Sequence, residues 1–174
     1  MSNLTRDQLL YASFIKAMDD IWAPHEGQKD ILDDLLLKGK DTVFVDCGRK
    51  FGKTELCLIF LGHICMKYPN SMCYYVCHTQ DNGKDILWDD PRIKTFYPKQ
   101  FMRERKPFTE SDLTAHFVNG SKIKIMGSTM NVDNKLGVRP RAVVYEEYRK
   151  HKTAFDEGMD PNRAVYNAPL LIIS

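Results

Sequence analysis

Cys47, Gly48, Arg49, Lys50, Phe51, Gly52, Lys53 and Thr54 stand in a row between the apolar run Val43-Phe44-Val45 and a helical stretch from Glu55 to Tyr68. This order suits the grip of a nucleotide's phosphates. Glycine lets the backbone turn so that its N–H groups converge on an anion. Lys53 brings a point charge toward the β- and γ-phosphates, and the Thr54 hydroxyl is placed to ligate Mg²⁺. The helix that follows presents its positive amino-terminal end to the same anion. A strict P-loop has glycine in its first position, where this chain has Cys47. The Gly-Lys-Thr match therefore takes its weight from context: an apolar strand before it, and Leu56, Ile59, Phe60, His63 and Ile64 on a helical face after it.

A second constellation complements the loop. Ala142-Val143-Val144-Tyr145 is an apolar strand that ends in Glu146-Glu147. Hydrolysis of a nucleoside triphosphate needs a metal, an oriented water and positive charge on the transition state. With its strand next to the P-loop, Glu146 can hold Mg²⁺, directly or through water, while Glu147 polarises the attacking water. Most such motifs use aspartate at the metal position, so Glu146 carries an arm longer by one methylene. For the positive charge, Arg49 sits in the loop itself. Arg139 and Arg141 precede the Glu146 strand and can reach a γ-phosphate within the subunit or across to a neighbour.

Elements must bring these groups together. Leu4 to Trp22 reads as a helix capped by Thr5 and closed by Pro24; Glu26 to Leu37 reads as a second, ending near Gly39. After the P-loop strand and its helix come an apolar strand, Met72 to Cys77, and a short helix, Asp81 to Trp88. Thr114 to Val118 and Ser121 to Met126 flank Asn119-Gly120, a strong hairpin signal. Pro169 to Ser174 is another buried-type strand. The expected fold class is α/β: a P-loop NTPase of the RecA-like (ASCE) type, with a mainly parallel sheet flanked by helices and an Asn-Gly hairpin. Residues 1–40 form amino-terminal helices and 41–174 the ATPase core. Ligands bind such sheets at the carboxyl ends of the strands, where the P-loop, Glu146-Glu147 and Ser174 are all expected. Because the sequence ends in an apolar run, a longer polypeptide is expected.

Composition excludes little but narrows the setting. With 174 residues, 43% hydrophobic and 28% charged, the chain suits one globular core, and no run is long enough for a membrane span. The five cysteines are odd in number and lie in or beside apolar runs, which argues for reduced thiols. Cys73, Cys77 and His78 lack a second ligand pair at zinc-finger spacing. The net charge of +2 carries no global nucleic-acid signature. Arg92 to Lys106 is locally basic and interleaved with Phe96, Tyr97 and Phe101; such a run either tracks a phosphate backbone or is a solvated face with its aromatics in the core. Tyr74, Tyr75, His78 and Thr79 end a strand on the catalytic edge, either to touch DNA or simply to pack.

In its motifs the chain resembles the large terminase subunits of tailed bacteriophages. Cys47 to Thr54 is similar to that family's arginine-containing Walker A. Pro24-His25-Glu26-Gly27-Gln28 is similar to its adenine-recognition segment, which implies that Gln28 reads the base. Asn119-Gly120-Ser121, Gly127-Ser128 and Leu136-Gly137-Val138-Arg139-Pro140 resemble the run into its Walker B, and Val143 to Tyr148 that Walker B with a catalytic glutamate, Glu147. Ser174 falls where the family's coupling motif begins. The resemblance implies a DNA-packaging ATPase that uses ATP and Mg²⁺. It implies catalysis by Glu147, Lys53 and Arg49, nucleotide contacts from Gln28 and residues 47–54, and metal contacts from Thr54 and Glu146. It also implies double-stranded DNA, a portal and a small terminase subunit as partners, a homo-oligomeric ring, host-cell cytoplasm as the location, and a carboxy-terminal nuclease to which nothing here corresponds. Two other readings compete: a superfamily-two helicase-like translocase, and a nucleotide-binding module without turnover or a small-molecule kinase. Helicases carry Asp-Glu-x-His/Asp where this chain has Glu146-Glu147-Tyr148-Arg149.

Overall fold

A computed structural model describes residues 4–18, 21–90, 92–129, 139–150 and 153–174. The two amino-terminal helices form, the first shorter than the Leu4 to Trp22 span its periodicity predicts. Helix α1 (Arg6–Met18) starts at Thr5, whose Oγ1 accepts from Gln8 N–H while Gln8 Oε1 accepts from Thr5 N–H, a reciprocal cap. Helix α2 (Glu26–Leu36) follows Pro24-His25. The remaining elements run β1 (Thr42–Val45), α3 (Lys53–Lys67), β2 (Met72–Cys77), a short α4 (Gln80–Gly83) continued by a π-helical turn to Asp89, α5 (Arg92–Phe96), β3 (Phe108–Thr109), β4 (Thr114–His116), β5 (Lys122–Gly127), β6 (Ala142–Glu146), α6 (Thr153–Ala164) and β7 (Leu170–Ile173). The Leu136-Gly137-Val138 part of the run toward β6 lies outside the described residues.

The strands make one seven-stranded sheet in the order β1-β7-β6-β2-β5-β4-β3, parallel from β1 to β5 and antiparallel over β4 and β3. One expectation is corrected here. The Glu146 strand does not neighbour the P-loop strand, because β7 lies between them and pairs with both. Leu170-Leu171-Ile172-Ile173 is apolar on both faces and therefore takes the interior position.

Helix α3 is buried on every side from Leu56 to Cys65, not on one stripe. It lies against the sheet while α1, α2 and the Ile93–Phe117 region enclose its outer side in the larger core. Gly62 admits the Tyr97 ring, where a Cβ would sit 2.5 Å from it, and Tyr97 Oη donates to Leu58 O at 2.7 Å. The basic run is thereby decided for the packed alternative as regards Phe96 and Tyr97, which are core residues. The opposite face of the sheet carries a smaller cluster of Tyr74, Val76, Met126, Val143, Tyr145, Met159, Leu170 and Ile172. Tyr74 and Tyr75 are therefore both interior. No helix among the described residues is long and apolar enough to cross a membrane.

The Asn119-Gly120 hairpin forms with a different turn from the two-residue one the dipeptide predicts. Phe117 N–H donates to Ser121 O and Gly120 N–H to Phe117 O, closing a turn over Val118, Asn119 and Gly120, with Gly120 at φ +85°. Asn119 has a tertiary role instead: its Nδ2 donates to Cys65 O (2.8 Å) and Met66 O (3.4 Å), closing the carboxyl end of α3.

Candidate nucleotide-binding site

The loop from Cys47 to Gly52 leaves the carboxyl end of β1 and delivers Lys53 as the first residue of α3. Two positive φ values make the turn, Lys50 at 68° and Gly52 at 79°. At Gly52 a side chain is doubly excluded, by φ and because a Cβ would stand 2.6 Å from Gln28 Nε2. Lys53 Nζ folds back to Cys47 O at 3.3 Å, so the first-position residue contributes through its carbonyl. Burial, with Asp46 nearby, raises the Cys47 thiol pKa against the opposing pull of Lys53.

Gln28 does more than the sequence suggests. Its Oε1 accepts from His25 N–H at 3.2 Å and caps α2, while its Nε2 donates to Phe51 O (3.0 Å) and Gly52 O (3.2 Å). His25 Nε2 also contacts Phe51 O at 3.1 Å, and the His25 ring meets the Phe51 ring edge-on, centroids 4.7 Å apart. The segment before α2 thus clasps the loop between β1 and α3. Gln28 is buried, and contact with an adenine edge requires one of these bonds to exchange.

A cleft of about 680 Å³ opens here, lined by Lys53, Thr54, Arg49, Lys50, Gln28 and Glu147 together with Trp22, His25, Phe51 and Arg92. Glu147 reaches it because its backbone turns to φ +55° directly after β6, so that the alternation of strand side chains is broken. Its N–H donates to Ile173 O at 2.9 Å. Glu146 sits deeper: burial first, and Glu147 second, push its carboxyl pKa up, while Tyr75, Cys77 and Lys53 pull it down. Ser174 joins the site through the backbone. Its N–H donates to Val45 O and its carbonyl accepts from Cys47 N–H, so β7 continues into the root of the loop.

Arg139 and Arg141 are not brought to this cleft. They precede β6, at the opposite edge of the parallel strands, and line a separate groove with Tyr68 and Tyr166. A five-residue strand at about 3.3 Å per residue separates them from Glu146, so action within the subunit is excluded by geometry. Arg141 is also engaged, its guanidinium 3.8 Å from the centre of the Tyr68 ring. Sequence reasoning missed Arg92 and Trp22. Arg92 stands on the cleft wall with its Nε 2.7 Å from Asp90 and its Nη1 4.0 Å from Glu55. Its position in a basic run is the visible signal, although that run reads either as a track for a phosphate backbone or as a solvated face, and neither points to the cleft.

No family model matches this sequence, and no curated protein matches it. Solved structures do. The large terminase ATPase domain of Thermus phage P74-26 superposes with a TM-score of 0.65 at 19% identity, covering 93% of this chain and 68% of that one. The large terminase of another bacteriophage, a thermophilic one, gives 0.62 at 14% identity, covering 87% of this chain and 39% of that one. The same thermophilic-phage protein in complex with ATP-gamma-S gives 0.60. The chain therefore has the fold of a phage large terminase ATPase domain, and the site just described stands at the carboxyl ends of that sheet's parallel strands.

Proposed function

We propose that this protein is the ATPase part of a viral DNA-packaging motor, binding ATP at the β1–α3 loop and hydrolysing it with Glu147. The observation that carries the reading is the convergence of Lys53, Thr54, Arg49 and Glu147 on one cleft, in a chain with the fold of terminase ATPase domains. That the thermophilic-phage terminase was crystallised with ATP-gamma-S and with ADP supports the nucleotide assignment.

The roles follow from chemistry. The loop amides and the first turn of α3 bind phosphate oxygens, and Lys53 exchanges the Cys47 carbonyl for the β- and γ-phosphates. Glu147 orients a water for in-line attack and takes its proton. Arg49 and Arg92 add positive charge from the loop and from α5. Trp22, His25 and Phe51 give the cleft an aromatic wall. The donors beside the phosphates are hard oxygens, the Thr54 hydroxyl and the buried Glu146 carboxylate, a set that fits Mg²⁺; these two residues would hold it. When bound, the metal neutralises charge on the β- and γ-oxygens. Arg139 serves a neighbouring subunit's nucleotide, since its own is out of reach; Arg141, stacked on Tyr68, is the weaker choice. Ser174 couples the site to movement through its bonds to Val45 and Cys47. Double-stranded DNA, a portal, a small terminase subunit and a ring of copies in the host cytoplasm belong to the same proposal.

The test is phosphate release with and without DNA, alongside nucleotide binding. Glu147→Gln is expected to keep ATP affinity and lower turnover by about 100-fold or more; Lys53→Ala is expected to lose binding. Undiminished hydrolysis by Glu147→Gln would remove Glu147 from its role. If Arg139 acts across subunits, turnover per molecule rises with protein concentration and Arg139→Ala flattens that rise.

A further inference from the structure

The carboxylate of Glu146 is gripped from the neighbouring strand. In the parallel pairing of β2 with β6, Tyr75 stands opposite Val144 and Val76 opposite Tyr145. One step further, Cys77 meets Glu146, and the two-residue period puts Tyr75, Cys77, Val144 and Glu146 on one face. That face packs beneath α3. Cys77 Sγ lies 3.7 Å from Glu146 Oε2 and donates to it. Tyr75 lies two residues earlier in β2, on the same face of the sheet and one layer below Glu146. Its side chain is fully buried, and its hydroxyl has no hydrogen-bond partner among the described residues. The interior of a parallel sheet is ordinarily apolar, because a buried polar group lacking a partner is costly. Here donors occur at both β2 positions that face Glu146.

We infer that Cys77 and Tyr75 are positioning residues for Glu146, whose S–H and O–H groups hold the glutamate arm at the root of the P-loop in the orientation its cation needs. A glutamate has one more rotatable bond than the usual aspartate, so its carboxylate sweeps a wider arc unless neighbours restrain it. Cys77 donates to one oxygen, and the buried Tyr75 hydroxyl, which has no other hydrogen-bond partner among the described residues, is the second donor on the same face. The inference rests on the ATPase reading, and it concerns how tightly Mg²⁺ is held.

The experiment measures binding of a fluorescent ATP analogue to the full chain in EDTA and across a Mg²⁺ titration, together with thermal melting, for wild type, Cys77→Ala, Cys77→Ser, Tyr75→Phe and Lys53→Ala. Expected is unchanged affinity in EDTA for the Cys77 and Tyr75 variants, with the Mg²⁺ concentration for half-maximal enhancement of binding raised about tenfold in Cys77→Ala and Tyr75→Phe. Cys77→Ser, which keeps a donor, restores the wild-type value. An unchanged Mg²⁺ requirement, equal behaviour of the alanine and serine variants, or losses that only track the melting temperature would each overturn the inference while leaving the ATPase reading in place. A wild-type chain that binds the analogue no better than Lys53→Ala would overturn both.

Discussion

Gln28 shows how much one side chain can settle at the residue scale. An N3 residue of a helix needs only an acceptor to cap the N–H before it, and glutamate serves there as well as glutamine. The carbonyls of Phe51 and Gly52 need a donor. Only the amide supplies both. Gln28→Glu would place a carboxylate against two carbonyl oxygens, so ATP affinity is expected to fall further in Gln28→Glu than in Gln28→Ala, as read by isothermal titration. His63 gives a second prediction. Burial, with Lys67 adding to it and Asp7 opposing, lowers its pKa from 6.5 to about 4. Between those values the unfolded chain binds a proton that the folded chain does not. Stability therefore rises with pH across that window and falls on acidification, by at most about 3 kcal/mol. His63→Leu is expected to flatten the dependence, measured by urea unfolding from pH 4 to 7.

At the scale of elements, turns carry the argument. Gly52 joins loop to helix at a φ that disfavours side chains, and its neighbour Gln28 leaves no room for one. Gly52→Ala is expected to lower nucleotide affinity about tenfold or more while the melting temperature moves by only a few degrees, because the strain falls on the loop and not the core. The hairpin turn behaves oppositely. Gly120 is also left-handed, and a Cβ there would collide with the Asn70 side chain. Gly120→Ala is therefore expected to destabilise the fold by about 1–3 kcal/mol, visible as a lowered urea midpoint. The dipeptide marked where the chain reverses, while its turn type depended on Asn119 reaching the end of α3.

For the whole molecule, sheet order sets both the site and a liability. β1 stands at one end of the strand order, and Phe44 is 71% exposed on it. An apolar edge strand of this kind invites edge-to-edge association. Phe44→Thr keeps a residue suited to strands and is expected to reduce self-association in sedimentation velocity without loss of melting temperature. The same order places β7 between the phosphate loop and Glu146, so that movement of Ile173 and Ser174 is felt at Val45, Cys47 and Glu147 through backbone bonds alone.

The sequence by itself determined the glycine-bearing loop between β1 and α3, the helix behind it, the acidic pair at a strand end and the position of the hairpin. Each of these is written in a short window, through glycine placement, periodicity of two or 3.6, and turn chemistry. Tertiary structure alone decided that β7 divides β1 from β6, that Arg139 and Arg141 lie at the far edge, that Arg92 joins the cleft, and that Gln28 holds the loop. Those outcomes depend on which strands pair and which faces meet across tens of residues. Strand pairing follows from the burial of whole surfaces, which no local pattern records.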